Sequence, residues 1–373
     1  MRSRDGASMS KCAVSERARV GRTLNDQCID LDKECAGEER DRDDAKWIHP
    51  DTVAVAFSPS QWPNRCGGPS YHVAVTLPDL PGLSSRAATR SDMAAITALI
   101  AACELVDNGI AEVQLSDVEH SFDLAGGPAG VIVVEAADQL VGWATVADGR
   151  ADVSVHPAWR TRGIGSALLA WSEEQARASG SAEVRQVVPN SDEAARRLFE
   201  GAGYRVHHTS WVLRIDLGDA TPEVTVPDGI ELRPYQAADA RAVYQVIEDA
   251  FNEWPDREPT TFEGWAAHVI SHPAFAPELS RLAFEGSELV GVALCDDYEG
   301  QDEGWVPQVA TKATHRHRGI ARALLQSAFA AFHATGRRQV GLSTDTRTGA
   351  LTLYERIGMR VRRTYTSWAK DLN

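Results

Sequence analysis

The chain has 373 residues, 43% of them hydrophobic, and a formal charge of −15 from 38 Lys+Arg against 53 Asp+Glu. That length and apolar content suit two ordinary domains and exclude a wholly disordered chain. The acidic surplus argues against general nucleic-acid binding, which needs concentrated Lys and Arg, and no apolar run approaches the roughly 20 residues that cross a bilayer.

The opening is polar, with Arg2, Arg4 and Asp5 followed by no hydrophobic signal core, so the expected location is the cytoplasm with no membrane partner. The cysteines at 12, 28, 35, 66, 103 and 295 show neither CxxC nor a Cys/His ligand spacing. Free reduced thiols and no metal site are therefore expected. Residues 1–85 hold a charged stretch from Asp30 to Lys46 and a Pro/Gly/Ser-rich tract from Pro59 to Ser85, without sustained periodicity. They are expected to be disordered or loosely structured.

From Arg86 the chain repeats itself at the scale of a domain. Asp92 matches Asp239, Leu140-Val141-Gly142 matches Leu289-Val290-Gly291, and Arg160–Gly165 matches Arg316–Ala321. Leu198-Phe199-Glu200 then matches Leu353-Tyr354-Glu355, and Arg205-Val206 matches Arg360-Val361. The spacing runs from 147 residues (Asp92 to Asp239) to 156 (Arg160 to Arg316), as small loop insertions would cause. Each copy reads as helix, strands, glycine-bearing turn, long helix, strand, short helix and final strand, an α/β order. The long helices are predicted over 163–179 and 320–335 from apolar spacings of three and four, and they end at Gly180 and Gly336. Strands are predicted over 183–188 and 339–344. The expected divisions are an extension to 85, a first domain over 86–217, a linker over 218–229 with two prolines and two glycines, and a second domain over 230–373.

The turn Arg160, Thr161, Arg162, Gly163, Ile164, Gly165, Ser166 follows a strand and opens a helix, and Arg316, His317, Arg318, Gly319, Ile320, Ala321, Arg322 does the same in the second copy. Unpaired N–H groups and the positive end of the helix dipole suit an anion there, and the glycines leave room for it. Leu168 stands where a dinucleotide fingerprint would place its third glycine, and no Gly-Lys-Ser/Thr follows as in a P-loop.

The doubled R-x-x-G-x-G/A turn, the Leu-Leu after each, and the LFEGAGY and LYERIGM segments resemble the GNAT superfamily of acyl-CoA-dependent N-acyltransferases, over about 86–216 and 230–372. Two such domains in one chain resemble the tandem type that includes mycothiol synthases and related actinobacterial acetyltransferases. The resemblance implies a mixed α/β sheet with a splayed strand pair in each domain. It further implies that Val153, Ser154, Val155 and Val309, Ala310, Thr311 hold the pantetheine of acetyl-CoA, the co-substrate, and that the two turns hold its pyrophosphate. It also implies a proton donor at Tyr354, whose first-copy counterpart is Phe199, so the second copy is expected to be catalytic and the first degenerate. Asp192 and Arg347 replace the Asn commonly found seven residues before that aromatic.

Asp296, Asp297, Glu299, Asp302 and Glu303 place acids before the second turn, with Glu303 the expected base. Asp249, Glu253, Trp254, Asp256 and Glu258 form an expected acidic, aromatic rim for an amine. His156, His268 and His272 are expected to have packing or surface roles. The expected activity is N-acetyl transfer to the primary amine of a small molecule in a ternary complex. The alternatives are a protein lysine or N-terminus as acceptor, or a non-catalytic acyl-CoA-binding protein.

Overall fold

In the computed structural model the described residues are Leu77 and residues 80–372, apart from 138, 255, 256, 258 and 299–301. Of the residues 1–85 expected to be disordered or loosely structured, 1–76, 78 and 79 lie outside them. Leu77, Leu80 and Leu83 pack on the first copy's core, and the first strand starts at Ser84, slightly before the predicted boundary. Residues 80–372 fall within one compact unit.

The first copy contains strands β1 (Ser84–Ala87), β2 (Val131–Ala136), β3 (Gln139–Ala147), β4 (Arg150–Val155), β5 (Glu183–Pro189) and β6 (Arg205–Asp216). Its helices are α1 (Met93–Asn108), α2 (Leu115–Leu124), α3 (Ile164–Ala178) and α4 (Glu193–Gly201). The second copy repeats the order with β7 (Ile230–Pro234), β8 (Arg281–Glu285), β9 (Glu288–Asp297), β10 (Glu303–Thr311), β11 (Gln339–Asp345) and β12 (Arg360–Asp371). Its helices are α5 (Ala240–Phe251), α6 (Phe262–His268), α7 (Ile320–Ala334) and α8 (Leu351–Arg356). No helix among the described residues is long and apolar enough to cross a membrane.

The repeat has physical causes that can be named residue by residue. Arg86 grips Asp92 at 2.7 and 2.8 Å, and Arg233 grips Asp239 at 2.7 Å through both nitrogens, tying each first strand to the helix that follows. A Cβ on Gly142 would stand 2.9 Å from Ile164 Cγ2, and one on Gly291 2.9 Å from Ile320 Cγ2. The Leu-Val-Gly motif therefore lets α3 and α7 lie close on the sheet. On α7 the stripe Ile320, Leu324, Ala328, Phe332 is buried, as the periodicity predicts.

All twelve strands form one sheet, in the order β1-β2-β3-β4-β5-β12-β6-β11-β10-β9-β8-β7. The last strand of each copy has crossed into the other. β6 pairs antiparallel with β11 from Asp216↔Gln339 to Ser210↔Asp345, and β12 with β5 from Asp371↔Glu183 to Tyr365↔Pro189. The two crossing strands also pair with each other, and Ser210 and Tyr365 face one another at the middle of that seam. Leu213 of β6 is thus buried in the core around α7, and Trp368 of β12 in the core around α3. Full burial of such a side chain is worth about 1.5–3 kcal/mol.

Neither copy can complete its sheet alone. A fragment of residues 230–372 is expected to run as exchanged dimers or aggregates in analytical ultracentrifugation, because β11 loses β6 and β12 loses β5. A monomer that melts cooperatively would contradict the exchange.

Candidate active site and its first-copy counterpart

In each copy the strand before the turn separates from its parallel neighbour. β10 and β11 pair only from Glu303↔Gln339 to Trp305↔Gly341, and the β10 register on β9 shifts between Trp305 and Gln308. β4 and β5 pair only at Arg150↔Arg185. The divergence opens a cavity of about 900 Å³ in the second copy and about 340 Å³ in the first.

Val309, Ala310 and Thr311 form one wall of the second cavity, beyond the last pairing of β10 with β11. Arg316, His317, Gly319, Ile320, Ala321 and Arg322 of the turn close one end. In the first cavity Val153, Ser154, Val155, Arg160, Thr161, Gly163, Gly165 and Ser166 take the same places. Three predicted residues stand aside. Arg318 is held by Glu285 at 2.5 Å, Arg162 lies 4.6 Å over the Trp159 ring, and Ile164 is core.

The two turns share one backbone. Thr161 and His317 have φ of 63° and 62°, and Gly163 and Gly319 have φ of 87° and 83°. A non-glycine residue at positive φ costs energy, and its recurrence at the same position marks a turn constrained to present its N–H groups. The cations around the second turn are less bare than the sequence suggests. Lys312 meets Glu288 at 2.7 Å, His315 meets Glu285 at 3.0 Å, and Arg316 meets Glu253 at 2.7 and 2.9 Å. Arg322 and Arg356, both in the cavity wall, make no ion pair among the described residues.

Tyr354 stands in the second cavity wall on α8, only 8% exposed. Burial pushes its phenol up to about 12, and its hydroxyl has no hydrogen-bond partner among the described residues. Phe199 takes that place in the first copy, stacked on Trp368 at 5.8 Å.

The predicted base departs from expectation. Glu303 sits at the paired end of β10, outside the cavity wall, with its carboxylate on Arg214 of the exchanged β6 at 2.7 Å. The exchange that delivers Arg214 could not be read from local sequence. Of the neighbouring described acids Asp302 is exposed, and the other two are engaged or buried. Asp297 pairs with Arg337 at 2.6 Å, and Asp296 is 9% exposed at the end of β9. Glu299, Asp256 and Glu258 lie outside the described residues.

Of the expected acidic rim, Glu253 and Trp254 reach the cavity, but Glu253 is clamped by Arg316, while Asp249 accepts from Gln245 at 2.7 Å elsewhere. Sequence reasoning marked Arg347 only as a replacement for the usual Asn and missed Asp345, with which it pairs on the far side of the cavity, Arg347 lying 5.6 Å over Trp254; it also missed Gln308, which accepts from Trp265 Nε1 at 3.2 Å. Ser210 enters this wall from the first copy, and Tyr365 enters the first cavity from the second.

His156, His268 and His272 bond nearby backbone, at 3.3, 2.6 and 3.2 Å. Cys103 and Cys295 are free and buried, and the other four cysteines lie outside the described residues. Among the described residues no His, Cys, Asp and Glu side chains group as a metal site.

Comparison with known proteins agrees with this geometry. A family model described as "Acetyltransferase (GNAT) domain" matches residues 127–206, and one described as "Acetyltransferase (GNAT) family" matches 240–359. The chain is 30% identical over 257 residues to a mycothiol acetyltransferase of Gordonia bronchialis, covering 64% of this chain and 79% of that one. It is 28% identical over 298 residues to a mycothiol acetyltransferase of Geodermatophilus obscurus, covering 74% and 94%. Among solved structures, a GCN5-related N-acetyltransferase from Sphaerobacter thermophilus superposes with a TM-score of 0.69 at 33% identity, covering 80% of this chain and 98% of that one. A tandem GNAT protein from the clavulanic acid pathway shares the fold at a TM-score of 0.57 and 18% identity, covering 78% and 99%. The doubled turn, the paired splayed strands and these matches together show that the chain belongs to the GCN5-related N-acetyltransferase family, as a tandem acetyl-CoA-dependent acetyltransferase.

Proposed function

We propose that the second copy transfers an acetyl group directly to the primary amine of a small molecule, with Tyr354 as the general acid. The observation that carries this reading is Tyr354 itself, a partnerless phenol in the wall between the splayed strands. A phenol pushed up to about 12 is fully protonated at neutral pH and holds a proton ready for a departing thiolate. Phe199 gives the first copy no such proton.

The remaining parts of the second cavity support the same reading. Acetyl-CoA, when bound, supplies the thioester whose carbonyl carbon is attacked. Val309–Thr311 offer backbone beyond the last pairing with β11, and the amides of 316–322 with Arg322 and Arg356 offer positive potential for phosphates. A volume of about 900 Å³ is ordinary for a small-molecule site. The relatives' printed name speaks for acetyl transfer in a small-thiol context in those proteins, which favours a small acceptor here. With Glu303 tied to Arg214, the amine's proton leaves to solvent or through a water in the cavity.

Asp296 is a buried carboxyl pushed up to about 7 by burial, against a lowering hydrogen bond from Tyr298. It lies outside the cavity wall, so its titration acts on stability. Its folded value lies above the ordinary 3.8, so its contribution is fully present below pH 4 and is lost as pH rises through about 7. Asp296→Asn is therefore expected to raise stability at pH 8, by a few kcal/mol at most, with no gain at pH 4. Urea unfolding at the two values reads this, and an equal effect at both would contradict it.

Tyr354→Phe is expected to lower kcat by roughly 10²–10⁴-fold while leaving acetyl-CoA binding, measured by calorimetry, essentially unchanged. An unchanged kcat removes Tyr354 from the mechanism.

A further inference from the structure

The two cavities share a backbone and differ in charge. The described wall of the second includes Arg257, Arg316, Arg322, Arg347 and Arg356 against Glu253 and Asp345. The described wall of the first includes Glu104, Asp107, Asp117, Asp152 and Asp192 against Arg160. That single guanidinium is already held by Asp107 at 2.6 and 2.7 Å, with Asp192 at 3.6 Å. A cavity with this balance repels a polyphosphate and attracts a cation.

A second observation is independent of charge. Trp143 on β3, Gln186 on β5 and Tyr365 on β12 stand in the first cavity's wall, 5%, 4% and 2% exposed. The indole Nε1 and the amide Nε2 have no hydrogen-bond partner among the described residues, and the Tyr365 oxygen can accept only from the Arg363 guanidinium, which leaves its O–H without an acceptor. Buried polar groups are costly unless satisfied, so three donors in one wall point to a bound acceptor. The residues at the matching positions around the second cavity are Val292, Leu342 and Ser210, and Gln308 matches Asp152. The donors are thus particular to the first cavity and no part of the shared fold. Asp152 lines the same wall with an exposed side chain, its carboxylate open to the cavity.

We propose that the first cavity is a binding site for a small organic ammonium that also carries hydroxyl or carbonyl oxygens, and that it does not hold the coenzyme. The ammonium faces Asp152 and the neighbouring carboxylates, and the oxygens accept from Trp143, Gln186 and Tyr365. Because β12 delivers Tyr365, the ligand also bears on the second copy's last strand, which pairs with β5 and β6.

Saturation-transfer NMR on the full chain with coenzyme A in excess tests this, using 2-amino-1,3-propanediol against glycerol as probes. Transfer to the amine well above glycerol is expected. Asp152→Asn or Gln186→Leu should weaken amine binding about tenfold without lowering the thermal midpoint. Gln186→Leu installs the second copy's own residue and serves if the first variant folds poorly. Equal transfer to both probes, no transfer to the amine, or transfer that survives in the folded variants overturns the proposal.

Discussion

The antiparallel pairing of β6 with β12 is the constraint on which both halves depend. Each strand leaves the copy that encodes it, so each core is closed by a foreign side chain, Leu213 around α7 and Trp368 around α3. Each cavity likewise gains one wall residue from the other copy, Ser210 or Tyr365. A buried ion-pair chain crosses the same region. Arg363 of β12 holds Glu112 of the first copy, and Arg214 of β6 lies 3.8 Å from Glu112 and 2.7 Å from Glu303. Buried pairs of this kind add little net stability over apolar packing, yet removing one partner leaves a stranded charge. They span the exchanged strands, and Glu303 belongs to that network, outside the wall of the second cavity.

Given this shared frame, the two copies differ where side chains and not backbone decide. The turns have matching dihedral angles down to a left-handed Thr161 and His317, so both present helix-start N–H groups in one way. What surrounds the turns differs. The second cavity keeps cations in its wall and a protonated phenol at Tyr354, while the first surrounds its arginine with carboxylates and places Phe199 at the phenol's position. A duplicated acyltransferase can divide labour in this manner, with chemistry in one copy and recognition in the other.

Much of the fold was legible because the repeat is carried by local physics. Gly142 and Gly291 report close helix–sheet packing, Asp92 and Asp239 report strand–helix ties, and Gly180 and Gly336 end α3 and α7 at φ of 80° and 87°. The wall of the second cavity from Val309 to Arg322 was legible for the same reason, since a strand, a turn and a helix start are contiguous. The strand exchange was not, because pairing β6 with β11 is a long-range choice that leaves the alternation within β6 unchanged. The misplaced base follows from it, since Arg214 reaches Glu303 only through that pairing. The acids at 249–258 looked like a cationic entrance because a charge run shows its own sign and hides its partners. Arg316, 63 residues from Glu253 in sequence, neutralises it in space.

The most direct test of the account is a crystal structure of the full chain soaked with acetyl-CoA. The account predicts the coenzyme in the second cavity alone, its pantetheine along Val309–Thr311, its phosphates on the 316–322 turn and its sulfur beside the Tyr354 hydroxyl. Coenzyme in the first cavity with its thioester at Phe199, or a thioester in the second cavity remote from Tyr354, would contradict it.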